Sequence, residues 1–176
     1  MKRERTNLER GIALTGFMGV GKSTVARHLS GILKCQRIDL DHYIEEAEGR
    51  KVWEILESDG EAEFRRVESR RLRELLDKTT PMILSLGGGT WTIEENRELL
   101  NERGMMTVWL ESTFEHCWFN MKFSRKFRPL AKDKEKAQRL FEERSLLYCL
   151  AGWHFIMRPD MTSAQIAKQI ADEICC

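Results

Sequence analysis

The stretch Gly11–Thr24, GIALTGFMGVGKST, begins as an apolar run, passes through a glycine-spaced turn and ends on a lysine and a serine at the start of a helical pattern. The spacing Gly16-x-x-x-x-Gly21-Lys22-Ser23 is that of a phosphate-binding P-loop. Its place directly after a strand (residues 11–15) and before a helix (residues 22–33) is the context that motif requires. Glycines let the backbone curl so that successive N–H groups face phosphate oxygens, and the following helix adds its positive end. Lys22 then reaches the outer phosphates and Ser23 supplies an oxygen to a metal. Gly16, Met18, Gly19, Val20, Gly21, Lys22, Ser23 and Thr24 are the expected nucleotide-binding residues. The alternative is a glycine-rich strand-to-helix turn with no ligand. The motif leaves open whether the nucleotide is a switch, a fuel or a phosphoryl donor.

Outward from this motif, 176 residues suffice for one domain with a full apolar core, and the chain is read as one unit over residues 1–176. Short apolar runs at residues 11–15, 36–40, 82–86, 106–110 and 153–157 read as strands. Residues 22–33, 41–58 with a break near Gly49, 60–77, 94–103, 113–121, 134–150 and 162–174 carry helical spacing. This alternation predicts an α/β fold with a five-stranded parallel sheet flanked by helices. Lys122–Lys136, KFSRKFRPLAKDKEK, is basic, is interrupted by Pro129 and reads as a mobile loop.

The net charge of +1, from 29 basic and 28 acidic residues, argues against general attraction to nucleic acids or membranes. The charged opening MKRERTNLER has no apolar stretch behind it, and no later run approaches the roughly 20 residues of a membrane span. A cytoplasmic enzyme is expected. Five scattered cysteines without C-x-x-C spacing read as reduced thiols, with Cys175 and Cys176 at a frayed end.

Three further segments carry chemistry. IDLD places Asp39 and Asp41 two residues apart at the end of the second strand, so both are expected to project past its carboxyl end. One carboxylate beside the P-loop serine can hold a metal, and the other can take the proton of a substrate hydroxyl. Asp41 also reads as a helix N-cap. In GEAEFRRVESRRLRELL, residues 60–76, Phe64, Val67, Leu72, Leu75 and Leu76 form the apolar side. Arg66, Arg70, Arg71 and Arg73 are expected in solvent, paired with Glu63, Glu68 or Glu74. LGGGT, residues 86–90, ends the third strand in three glycines, whose physical use is close approach of another group to backbone.

Taken together, GFMGVGKST, IDLD, DGEAEFRRVE, SLGGGT, FRPL and ERSLLY, in this order, resemble the shikimate kinase family. The resemblance implies a nucleoside monophosphate kinase-like fold with strand order 2-3-1-4-5, a substrate-binding segment at about residues 41–76 and a lid at about residues 122–136. It implies transfer of a phosphoryl group from MgATP to the 3-hydroxyl of shikimate, in aromatic amino-acid biosynthesis. It makes Lys22, Asp41 and Arg128 catalytic, with Arg128 also contacting ATP, and Ser23 and Asp39 the magnesium partners. Asp41, Arg65, Glu68, Gly88, Gly89 and Arg144 would bind shikimate, the two arginines gripping its carboxylate while Glu68 orients Arg65. ATP and shikimate are the expected partners of a monomer, with no nucleic acid and no membrane.

The chain departs from the family pattern at NMKFSRKF, where Arg125 or Lys122 is left as the group to cover adenine, at Ala131, and at Trp153, His154 and Phe155. His154, Trp53 and Trp91 read as structural, with Trp53 also able to stack on a ring substrate. A gluconate kinase-like enzyme and a non-catalytic nucleotide-binding module are the other readings. The first has less use for two carboxylate-gripping arginines, and the second predicts loss of Lys22, Asp41 or Arg128, all of which are present.

Overall fold

The structure, a computed structural model, describes residues 10–124, 133–158 and 160–174. Arg125, Arg128 and Ala131, most of the expected lid, and Cys175 and Cys176 lie outside the described residues. Five strands, β1 (Ile12–Thr15), β2 (Arg37–Asp39), β3 (Ile83–Ser85), β4 (Met106–Glu111) and β5 (Trp153–Ile156), form one sheet in the order β2-β3-β1-β4-β5. Every neighbouring pair is parallel. Parallel strands need crossovers, and among the described residues eight α-helices supply them or cover the faces. These are α1 (Lys22–Leu33), α2 (Leu40–Glu48), α3 (Val52–Ser58), α4 (Glu61–Lys78), α5 (Glu94–Glu102), α6 (Phe114–Lys122), α7 (Lys134–Tyr148) and α8 (Ser163–Ile174). The expected α/β class, strand order and helices are all present, with boundaries moved by a residue or two.

Central strands buried on both faces account for the apolar runs: all four residues of β1 and all three of β3 are buried. The core continues through Val25, Ala26 and Leu29 of α1, which packs against Ile166, Ala167 and Ile170 of α8. All five apolar residues expected on α4 are buried, and the fully buried Glu68 lies among them. Among the described residues no helix is long and apolar enough to cross a membrane.

The structure corrects two expectations. Asp41 does not extend the second strand, which stops at Asp39; α2 has already begun at Leu40. The reason is capping: Asp39 Oδ1 accepts a hydrogen bond from the His42 N–H, so Asp39, and not Asp41, is the helix N-cap. The arginines of α4 also reach further than their own helix. Arg66 pairs with Glu63 and Arg71 with Glu74 as expected, but Arg70 and Arg71 also both meet Glu48 Oε1 of α2 at 2.8 Å. They tie α2 to α4 and pull the Glu48 carboxyl below its usual range, chiefly through the Arg71 hydrogen bond.

The α1–α8 contact is the packing that backs the nucleotide loop. Replacing the fully buried Leu29 by alanine is expected to destabilise the protein by about 2–5 kcal/mol, measured as a lower midpoint of urea unfolding with an unchanged slope.

Candidate active site

The ends of β1, β2 and β3 open into a cleft of about 1340 Å³, and the loops that follow those strands line it. This is where open parallel sheets bind ligands. Three walls meet there: the loop before α1, the carboxylates at the start of α2, and a basic corner formed by α4, the glycine loop after β3 and α7.

The first wall is shaped by backbone that only glycine adopts readily. Gly16 and Gly19 have φ of 137° and 84°, and a Cβ on Gly19 would lie 2.4 Å from the Cys117 carbonyl of α6. Asn120, one turn further along α6, donates from Nδ2 to the Gly19 carbonyl at 2.9 Å. Lys22 is buried and donates from Nζ to the carbonyls of Gly16 and Phe17 at 2.7 and 3.1 Å, so its ammonium is held across the mouth of the loop. Cys117 lies beneath the same loop; burial pushes its thiol up to about 12 even though Lys22 pulls the other way, which keeps it protonated.

In the second wall, Ser23 Oγ donates to Asp39 Oδ2 at 2.6 Å, bringing together the hydroxyl and carboxylate singled out as metal partners. Among the described residues no group of three His, Cys, Asp or Glu side chains could hold a metal by itself. Asp41, in the first turn of α2, faces the glycine loop: its Oδ1 is 3.0 Å from where a Cβ on Gly87 would stand.

The third wall is built on buried charge. Arg65 donates from Nη1 to Glu68 Oε2 at 2.7 Å, and Glu68 Oε1 accepts from Thr90 Oγ1 at 2.6 Å. Burial disfavours the Arg65 cation, but Glu68 and then Glu61 more than offset it, and its pKa ends above the usual arginine value. Arg144 of α7 comes to the same corner, its side chain 7% exposed, and meets Glu61 Oε1 at 3.3 Å. There burial wins. The Arg144 pKa is lowered, with Arg65 adding to the effect and Tyr148, Glu61 and Glu68 opposing it. A cation buried in this way favours an anion beside it.

The glycines are explained by this corner. A Cβ on Gly89 would sit 2.3 Å from Arg65 Nη2, and one on Gly87 would sit 2.6 Å from Glu68 Oε1. Tyr148 donates its hydroxyl to the Gly88 carbonyl, fixing the loop from behind. Burial raises the Tyr148 pKa, so the phenol stays protonated as that donor.

The structure thus gathers Lys22, Ser23, Asp39, Asp41, Arg65, Glu68, Gly88, Gly89 and Arg144 around one cleft. Arg128 lies outside the described residues. Trp53 lines the cleft, Trp91 is core, and His154 packs edge-on against Trp109 with its Nε2 3.1 Å from the Cys149 carbonyl. Sequence reading gave no site role to Glu61, Thr90, Asn120 or Tyr148, and named Gly87 only as one of three glycines. The run of three glycines signals Gly87, but nothing local marks Asn120 or Tyr148, which act across long sequence separations.

Comparison with known proteins agrees with this geometry. The family model described as shikimate kinase matches residues 18–175. A shikimate kinase of Streptococcus thermophilus is 39% identical over 77% of this chain and 82% of its own length. One from a Sulfurihydrogenibium species is 36% identical over 93% of this chain and 96% of its own. Among solved structures, a shikimate kinase from Acinetobacter baumannii in complex with shikimate superposes with a TM-score of 0.85 at 32% identity, covering 94% of this chain and 92% of that one. A P-loop facing a buried pair of arginines, together with sequence matches that run through nearly the whole chain, places it: the protein belongs to the shikimate kinase family.

Proposed function

We propose that the protein transfers the terminal phosphoryl group of ATP to the 3-hydroxyl of shikimate, giving shikimate 3-phosphate and ADP for chorismate and aromatic amino-acid synthesis. The whole chain acts as one kinase domain, a cytoplasmic monomer in which about residues 41–76 bind the acceptor and about residues 122–136 close as a lid. The observation that carries this reading is the convergence of Arg65 and Arg144 on one point of the cleft that also holds the P-loop and Asp41. Such a cleft selects an acceptor with a carboxylate at one end and a hydroxyl at the other, which a neutral sugar is not.

In this reading the P-loop from Gly16 to Thr24 cradles the phosphates and Lys22 balances charge on the group in transit. Ser23 and Asp39 would hold Mg²⁺, which would supply charge neutralisation on the phosphates. Gly88 and Gly89 offer N–H groups beside the carboxylate clamp. Clamping fixes the ring, so that a hydroxyl across it is presented to Asp41, which orients it and accepts its proton. Arg128 would join from the lid and stabilise the transferring group.

A coupled ADP-release assay with MgATP should respond to shikimate and not to gluconate or to the absence of an acceptor. Release without acceptor, or with gluconate alone, would contradict the assignment. Arg144→Ala should lower kcat/KM for shikimate by about two to three orders of magnitude, because it removes a buried charged contact. Gly89→Ala forces Arg65 aside, so the KM for shikimate should rise about tenfold or more while the KM for ATP stays near wild type. Equal rises in both constants would mean that the loop does not serve the acceptor.

A further inference from the structure

Glu61 opens α4 directly behind Gly60, which gives that helix no side-chain cap. Its carboxylate turns away from the helix end and reaches into the basic corner of the cleft. Oε1 accepts from Arg65 Nη2 at 3.0 Å and from Arg144 Nη2 at 3.3 Å. One carboxylate oxygen therefore sits between guanidinium groups of two different helices, α4 and α7. Glu68 is also on Arg65, but it is fully buried and tied to Thr90. Glu61 is 45% exposed and has the two arginines as its hydrogen-bond partners among the described residues.

Charge balance gives this placement a consequence. Two arginines and two glutamates neutralise the corner. An incoming carboxylate would make three anions for two cations in a desolvated space, where the excess is strongly disfavoured. Glu68 has no route out. Glu61 has two: open water on its exposed side, or the uncapped N–H groups at the start of its own helix, where a carboxylate is favoured.

On the reading that shikimate is the acceptor, we infer that Glu61 is a resident carboxylate that holds the acceptor's place between Arg65 and Arg144 and is displaced when the acceptor's carboxylate binds. It competes with the acceptor's carboxylate for the two arginines and so sets the affinity for it. The empty site keeps its buried arginines paired, which avoids the large penalty of isolated buried charge. A neutral ring cannot supply the anion that compensates the arginines for losing Glu61, so it leaves Glu61 in place on Arg65 and Arg144 and its affinity does not depend on the Glu61 charge.

The test is isothermal titration calorimetry of wild type and Glu61→Gln with shikimate and with methyl shikimate, the same ring without the charge. Thermal melts of the unliganded proteins check that each is folded. Glutamine keeps the length and an accepting oxygen but removes the charge. Shikimate is expected to bind Glu61→Gln about three- to tenfold more tightly than wild type, the scale of a partly exposed ion pair that binding no longer breaks. Methyl shikimate affinity should be unchanged. If Glu61 only holds the arginines in place, the substitution weakens both ligands alike, and that result, or an unchanged shikimate affinity, overturns the inference. Glu61→Ala provides the same comparison should the glutamine variant not fold. A wild-type protein that does not bind shikimate at all is a different failure, since it removes the acceptor assignment itself.

Discussion

Parallel pairing in one register is the constraint on which the site depends. Leu14 of β1 and Asp39 of β2 both lie opposite Ser85 of β3, so three strands end at one level of the sheet. The chain leaves β1 into the phosphate loop, β2 into the two aspartates and β3 into the three glycines. Groups far apart in sequence thereby meet without any contact dedicated to bringing them together. A slip of one residue in either pairing would turn every side chain of that strand to the other face and dismantle the cleft with the core.

Within that frame the two ends of the cleft are held by different physics. At the phosphate end the loop is preorganised by backbone: positive φ at its glycines, the Lys22 ammonium bonded to two of its carbonyls, and Asn120 pinning its crest to α6. At the acceptor end the organising force is buried charge. Arg65, Glu68 and Thr90 form a chain of short hydrogen bonds at the edge of the core, where an unpartnered charge would cost several kcal/mol. Such a network contributes little net stability, but it holds a guanidinium fork in one orientation. Two of the three glycines follow from it, since side chains at Gly87 and Gly89 would collide with the Glu68 and Arg65 side chains.

Most of this was legible in the sequence, and the rest fails for identifiable reasons. The P-loop could be read because its spacing and its strand-to-helix context are both local. The strands could be read because burial on both faces leaves nearly unbroken apolar runs. The apolar face of α4 and the Arg71–Glu74 pair were legible from helical period, whereas the contacts of Arg70 and Arg71 to Glu48 were not, because Glu48 belongs to another helix. Asp41 was expected to project from the strand end because IDLD alternates like a strand; the capping bond from His42 to Asp39 starts the helix at Leu40, one residue before the expected boundary. Glu61 looked like any acid in a helix first turn. Only the arrival of Arg144, 83 residues later in the chain, gives its carboxylate a second partner. Tyr148 is hidden in the same way, its hydroxyl bonded to a glycine carbonyl 60 residues away.

The central claim is that one cleft grips a carboxylate at its basic corner so as to present a hydroxyl to Asp41 and the phosphate loop. A crystal structure of the protein with shikimate and a non-hydrolysable ATP analogue measures this directly. The account predicts the ring carboxylate on Arg65 and Arg144, the 3-hydroxyl within hydrogen-bond distance of Asp41, and the terminal phosphate on Lys22. A ring bound in the reverse sense, with its carboxylate away from both arginines, would contradict it.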